Sequence, residues 1–463
     1  MQNSLKKGIV AILFANIVNL VFNLLTNFLL PKYLSMESYA AIKTFQLYTN
    51  YIGVFSLGYA DGMYLRYGGK ELASINHNEL KDGMLSFRLM MIIESVILIP
   101  IAVLSKDTVI LAFSFTIISR NMSSYFKNLY QAVGEFKRYG KILNWTTIST
   151  FAANIFLLFV VKTDSFIIYL IAYAVVDGII WVALEWNAAH FMDYRNGYGR
   201  LSINLLWEDI KSGFLLMVGN FSNILLSSMD RLFVKLMMST AQFAYYSFAV
   251  SLEGFLNVAI TPITTTLYNY FCNHSGHNEV VRTRRYVILF GSVIAATAFP
   301  AKFIIEVFLQ NYIGSVNVLF ILFATQMVYV IIKGIYINLY KATKKQNLYF
   351  ARLLLVLIIG AILNCLFVRV YPFMEAFAYG TLCSAFIWLV ISICDFKQYG
   401  FHAKEMSYLV GEVILLIFLG QKVNALLGLG IYIATSLFMM IVLMREEIKS
   451  IVIMTNNMLK RSK

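Results

Sequence analysis

The sequence predicts an all-α, polytopic membrane protein of about 14 transmembrane helices: two pseudo-symmetric six-helix bundles followed by two additional helices. Three observations carry that prediction. The 463 residues are 59% hydrophobic and only 13% charged, with a mean hydropathy of +0.71. Lys and Arg fall overwhelmingly in alternate connecting segments. The second half of the chain repeats the pattern of the first.

A helix needs about 20 apolar residues to cross a hydrocarbon core of about 30 Å. Fourteen stretches meet that need: 8–30, 39–62, 84–105, 108–133, 141–162, 165–190, 209–237, 243–270, 286–309, 315–341, 348–369, 373–396, 404–421 and 424–444. Connections as short as Ser105-Lys106-Asp107 make neighbouring helices antiparallel hairpins. The first stretch follows Lys6 and Lys7 as a signal peptide would, but it is too long and no small-residue cleavage site follows, so it reads as an uncleaved span.

Basic residues favour cytoplasmic loops. With the N-terminus in the cytoplasm, the cytoplasmic segments hold 24 Lys and Arg; the opposite side holds 5, namely Lys32, Lys106, Lys162, Arg369 and Lys422. Both termini are then cytoplasmic, in a cytoplasmic (inner) membrane. The net charge of +14 belongs to loops rather than to a nucleic-acid surface.

The repeat appears when residue n is laid on residue n+204. Asn16 falls on Asn220, Asn19 on Asn223 and Asn23 on Ser227, while LSMESYAA (34–41) lies over MSTAQFAY (238–245) with Ser35 on Ser239. Span 1 thus matches span 7 and span 2 matches span 8, with six spans between them, so the repeats are parallel. The organisation that follows is an N-terminal lobe at 1–190, a linker at 191–208, a C-terminal lobe at 209–397, two further helices at 398–444 and a basic tail at 445–463.

Polar residues inside the spans mark the candidate site. Asn16, Asn19, Asn23 and Asn27 are spaced three and four apart on one helix face, and Asn220 and Asn223 repeat part of that stripe. The stripes read as one wall of a water-filled cavity, or as amides hydrogen-bonding between helices. Lys43, Gln46 and Asn50 add a polar face to span 2. Four cations lie within spans: Arg120 and Lys127 in span 4, Arg231 in span 7 and Lys333 in span 10. A cation at the bilayer centre costs about 2.5 kcal/mol or more on insertion scales, so these residues need water, an anionic partner, or both. An Arg fork matches phosphate oxygens. Arg231 has Asp230 as a neighbour for pairing, and Lys127 and Arg88 are within reach of the interface by snorkelling. The carboxylates Glu94, Asp177 and Glu253 read either as counter-ions or as proton- or sodium-coupling groups. Pro262 should kink span 8, with the following threonines satisfying freed carbonyls.

Other chemistry has no support. Cys272, Cys365, Cys383 and Cys394 form no disulfide or metal pattern, and CNHSGH (272–277) reads as a polar loop. There is no phosphate-binding glycine loop, nucleophile elbow or HExxH. External loops are too short to build an enzyme site, and nothing calls for a metal or cofactor.

Four stretches resemble a known family. LTNFLLPKYLSMESYAAIKTF (25–45) is similar to its first two helices and YQAVGEFKRYG (130–140) to its end of span 4. SSMDRLFVKLMMSTAQFAYYSFAVSL (227–252) resembles its span 7–8 signature, and LYKATKKQNLYFARLLLVLIIGAILNCLFV (339–368) with EAFAYGTLCSAF resembles its span 10–12 region. The family is the polysaccharide-transporter flippases of the multidrug/oligosaccharidyl-lipid/polysaccharide exporter superfamily, the Wzx-like O-antigen and capsule flippases. The resemblance implies ion- or voltage-coupled alternating access moving an isoprenoid diphosphate-linked oligosaccharide to the external leaflet, with polysaccharide assembly proteins as partners. It also implies no enzyme activity. Some superfamily members carry cations in span 1; here that face is asparagine, which would leave the diphosphate to Arg120, Lys127, Arg231 and Lys333. The alternatives are a multidrug exporter of the same superfamily, which a cationic cavity disfavours, and a membrane polysaccharide polymerase or ligase, which would need a large external loop.

Overall fold

The computed structural model describes residues 2–192, 197, 199–274 and 276–444, with backbone alone for 2–14. The basic tail 445–463 and part of the predicted linker lie outside the described residues. Every regular element among the described residues is helical.

Helix α1 (Gln2–Tyr33) covers span 1. Span 2 is broken: α2 (Met36–Asn50) gives way to a 3₁₀ turn at Ile52–Ser56 and then α3 (Tyr59–Tyr67). Spans 3 to 7 are α4 (His77–Ser105), α5 (Thr108–Ala132), α6 (Phe136–Ile155, continued by a π turn to Val161), α7 (Phe166–Met192) and α8 (Ile203–Met237). Span 8 is α9 (Thr240–Glu253) and α10 (Leu256–Asn273), bent by 44° at the break between them. Span 9 is α11 (His277–Ala295) with α12 (Ala298–Phe308); span 10 is α13 (Val316–Ile331), a π turn at Ile332–Tyr336 and α14 (Ile337–Ala342). The rest are α15 (Gln346–Val370), α16 (Glu375–Asp395), α17 (Ala403–Lys422) and α18 (Ala425–Leu443). All fourteen predicted stretches therefore fall on helix. Among the described residues, nine helices, or ten with the bent pair, are long and apolar enough to cross a membrane on hydropathy alone.

The prediction for Pro262 needs correcting. The bend falls at Gly254–Phe255, and α10 runs through Pro262. The Thr265 and Thr266 hydroxyls donate to the carbonyls of Thr261 and Pro262, one turn beyond the carbonyl that the proline ring leaves without its amide.

The chain divides into two compact units, 1–228 and 229–463, and the boundary falls inside α8. Within unit 1, α5 packs on α2, α3, α4, α6 and α7. Within unit 2, α13 packs on α9, α11, α16 and α17, and all its residues but Asn317 are buried. Burial on every side explains why α13 is apolar but for Asn317, Thr325 and Gln326; α5, at the same place in unit 1, is more polar.

The repeat holds at the level of atoms. Helix α2 begins at Met36 and α9 at Thr240, in the register of the sequence repeat, and Ser35 and Ser239 cap them by accepting from the amides of Ser38 and Gln242, each at 3.3 Å. The helices end within one residue of the same register. Further on, the turn after α5 matches the turn after α14 at an offset of 210. Glu135 N donates to Tyr130 O and Lys345 N to Tyr340 O, both at 2.8 Å, around left-handed Gly134 (φ +74°) and Lys344 (φ +56°). Two asparagines complete the match. Asn128 Nδ2 donates to Ala60 O at 3.4 Å, and Asn338 Nδ2 donates to Thr264 O at 2.6 Å. Ala60 and Thr264 stand in the 204 register within the helices that follow the two breaks, so the same inter-helix amide contact recurs in both repeats.

Candidate functional site

In unit 1 the polar residues gather on α1, α2, α5 and α7. Arg120 sits midway along α5 and donates its Nε–H to Asp177 Oδ2 of α7 at 2.6 Å. Its guanidinium carbon lies 5.5 Å from the Phe45 ring centre. The Arg120 side chain is 32% exposed and that of Asp177 10%. Only one of the five guanidinium N–H groups meets the carboxylate, so the rest of the fork stays open to another acceptor. Lys127 lies two turns along the same helix, half-buried, within range of the charges of Arg120 and Asp177. Among the described residues its ammonium makes no hydrogen bond or ion pair. Two cations against one carboxylate leave this cluster net positive.

The asparagine face of α1 does not share one environment. Asn27 Oδ1 accepts from Lys43 Nζ of α2 at 2.8 Å, and Lys43, buried, also lies 5.4 Å from the Tyr39 ring centre. Asn19 is hydrogen-bonded to Thr147 of α6. These two amides act between helices, whereas Asn16 and Asn23 are exposed. Gln46 is half-buried on α2. On α8, Asn220 donates to Asp61 Oδ1 at 3.1 Å and Asn223 to its own helix at Gly219 O, 2.9 Å. Glu94 of α4 holds one buried carboxylate oxygen without a hydrogen bond.

The cations of unit 2 have local partners. Asp230, buried, accepts from the Tyr246 hydroxyl at 2.6 Å and from the Arg231 backbone amide at 2.7 Å, and Arg231 is 9% exposed. Lys333 stands in the π turn, 5.4 Å from the Tyr329 ring centre and within range of the Glu253 charge. Glu253 is the last residue of α9, at the bend, and accepts from Gln326 of α13. Two cations and two carboxylates leave this cluster neutral. The sequence treats the four cations alike; the geometry gives unit 1 the excess charge.

Sequence reasoning missed several charged groups. Arg88 pairs with Glu185 of α7 at 2.8 Å, and Trp181 Nε1 donates to the same carboxylate at 2.7 Å, so Arg88 is held by an ion pair rather than by snorkelling. Arg66 sits among three carboxylates, Glu79 and Glu208 at 3.1 Å each and Asp209 at 2.7 Å. Burial beside Glu79 pushes the Tyr67 hydroxyl up. This cluster ties α3 to the start of α8, where the two backbones touch. A methyl group at Gly62 would lie 2.6 Å from the Asp209 carbonyl carbon, and one at Gly58 would lie 2.7 Å from Phe214 N. The signal was present as the small-xxx-small pair Gly58/Gly62. In unit 2, Arg284 and Arg285 share Glu405 at 2.7 Å, and Lys302 caps the end of α17 through Gly420 O (2.8 Å) and Val423 O (2.6 Å). Glu412, buried in the middle of α17, carries the same signal as Glu94 and was passed over because its helix lies outside the repeat.

No family model and no curated protein matches the chain. Solved structures do. Lipid II flippase MurJ in an inward closed conformation superposes with a TM-score of 0.72 at 14% identity, covering 95% of this chain and 100% of that one. An inward-facing multidrug resistance MATE family transporter of the MOP superfamily gives 0.55 at 11% identity, covering 86% and 95%. The Vibrio cholerae MATE transporter VcmN gives 0.54 at 13% identity, covering 86% and 96%. At such identities the likeness is one of fold: the chain has the architecture of these multi-pass membrane transporters.

Proposed function

We propose that the protein is a flippase of the polysaccharide-transporter type. It would move an isoprenoid diphosphate-linked oligosaccharide from the cytoplasmic to the external leaflet of the cytoplasmic membrane by alternating access, as a carrier and not an enzyme. The observation that carries this reading is the net-positive cluster of α5: among the described residues, Arg120 has most of its fork uncommitted and the Lys127 ammonium has no hydrogen bond or ion pair. A diphosphate supplies the anionic oxygens that such a pair lacks, and charge-assisted hydrogen bonds to it are the strong kind. The exposed amides of Asn16 and Asn23 and the half-buried amide of Gln46 suit sugar hydroxyls. Placing both termini in the cytoplasm rests on the asymmetry of Lys and Arg.

A multidrug exporter is the second reading, favoured by the fold shared with the MATE transporters. Organic cations would meet repulsion at Arg120 and Lys127. Direct binding separates the two. Purified protein titrated with a short-chain isoprenoid diphosphate glycan should bind it, and Lys127→Ala should weaken binding by roughly 10- to 100-fold, the value of one hydrogen bond to a charged group. Saturable binding of lipophilic cations with no affinity for the diphosphate would favour the exporter instead.

A further inference from the structure

The two helices outside the repeat hold a buried acid with no counter-charge among the described residues. Glu412 lies ten residues into α17 and is 0% exposed, and among the described residues neither carboxylate oxygen has a well-aligned hydrogen bond. Its surroundings are hydroxyls: Tyr408 on its own helix one turn back, and Tyr432 and Ser436 one turn apart on α18. Among the described residues no charged group acts on it; the ion pairs of this helix that lie closest involve Glu405, two turns away and already matched by Arg284 and Arg285.

The same hydroxyls reach another helix. Tyr408 lies 3.1 Å from Ser292 Oγ of α11, and Tyr432 lies 3.3 Å from Ser292 O. Each phenol has one proton, which either Glu412 or Ser292 can accept, and the oxygen keeps lone pairs for another contact. Hydroxyls alone supply no positive charge, and an ionised carboxylate without a counter-charge in an apolar helix interface is costly. A bound cation supplies that charge, and the same hydroxyl oxygens, turned about their C–O bonds, solvate it.

We propose that Glu412, with Tyr408, Tyr432 and Ser436, forms a reversible binding site for a monovalent cation, either a proton or a sodium ion. The site joins α17 and α18 to α11 and is separate from the α5 cluster. It does not depend on the substrate reading.

Thermal unfolding of the purified full chain in detergent tests it, because a ligand that binds the folded state raises the midpoint with its concentration. Two titrations are needed: pH without sodium, and sodium at fixed pH. If the ligand is a proton, the folded protein holds it more tightly than the unfolded chain. Stability is then highest at low pH and falls as pH rises, and sodium has no effect. If the ligand is sodium, the midpoint rises with sodium and not with potassium at the same ionic strength. Glu412→Gln, neutral and isosteric, should abolish whichever dependence the wild type shows and should melt no lower than the cation-bound protein. Tyr432→Phe keeps the charge and removes one ligand oxygen, and should shift the half-maximal concentration by several-fold; it also serves if the glutamine variant fails to fold. A wild-type dependence on either ion retained in full by Glu412→Gln, a wild-type midpoint indifferent to both ions, or an unchanged half-maximal concentration in Tyr432→Phe overturns the proposal.

Discussion

Removing Arg120 separates two roles that the structure superimposes. Its Nε–H is bonded to a carboxylate that is only 7% exposed as a residue, so Arg120→Gln leaves Asp177 buried with one positive neighbour, Lys127, two helical turns away. Breaking a buried pair by deleting one partner costs about 3–5 kcal/mol, and the one-third exposure of the arginine side chain places this case near about 3 kcal/mol. Deleting both partners removes the uncompensated charge, so Arg120→Gln with Asp177→Asn should return to within about 1 kcal/mol of wild type. The cycle then gives a coupling energy of about 2 kcal/mol or more, read from denaturation midpoints of the four proteins in the same detergent. Translocation of the diphosphate-linked glycan is measured on the same set. Cargo binding by the open guanidinium predicts that the double variant, although stable, stays at least tenfold slower. A double variant that is both stable and fully active would refute the reasoning, for Arg120 would then serve only to neutralise Asp177.

Three further outcomes follow from the geometry. Gly62→Ala places a methyl against the Asp209 backbone, which cannot give as a side-chain tip would, and overpacking of this kind costs about 1–3 kcal/mol; a thermal midpoint equal to wild type would show that α3 and α8 separate freely. Asn338→Ala removes the donor to Thr264 O and Asn128→Ala the donor to Ala60 O, and each should cost about 0.5–1.5 kcal/mol, the larger loss expected for Asn338 with its 2.6 Å bond; equal stability in both variants and wild type would deny the repeated role of these amides. Ser239→Ala and Ser35→Ala each delete an N-cap and should each lower stability by about 1 kcal/mol, comparable between the two repeats and checked by the same melts.

The helical class and the order of the fourteen elements were legible because lipid imposes a length and a polarity that few other contexts do. The 204-residue register was legible from asparagines and a capping serine, and it places the starts of α2 and α9 together. The breaks were not. Hydropathy counts residues and does not see that Asn50–Gly58 or Gly254–Phe255 leaves the helix ladder, and Pro262 drew attention away from the actual bend. Pairing was legible only as a choice. Asp177 stood as counter-ion or coupling group, and the distance to Arg120 favours the first, while Glu94 keeps an oxygen unbonded. Arg88 looked able to reach the interface alone because its partner Glu185 is nearly a hundred residues away on another helix. The asparagine stripe is the instructive case: spacing put four amides on one face, but two of them meet Lys43 and Thr147 and two remain exposed. A helical face is wider than one neighbour, so shared spacing does not entail a shared partner.

The central claim is that the chain carries an isoprenoid diphosphate glycan across the bilayer on the cations of α5. Its most direct test is translocation by the wild-type protein in liposomes, following a fluorescent short-chain isoprenoid diphosphate glycan as it becomes protected from an impermeant quencher, with pH, sodium and voltage gradients imposed in turn. The account predicts protection that depends on the protein, that a gradient accelerates, and that Lys127→Ala slows at least tenfold. Protein-free rates under every gradient, alongside gradient-driven uptake of a lipophilic cation by the same vesicles, would contradict it.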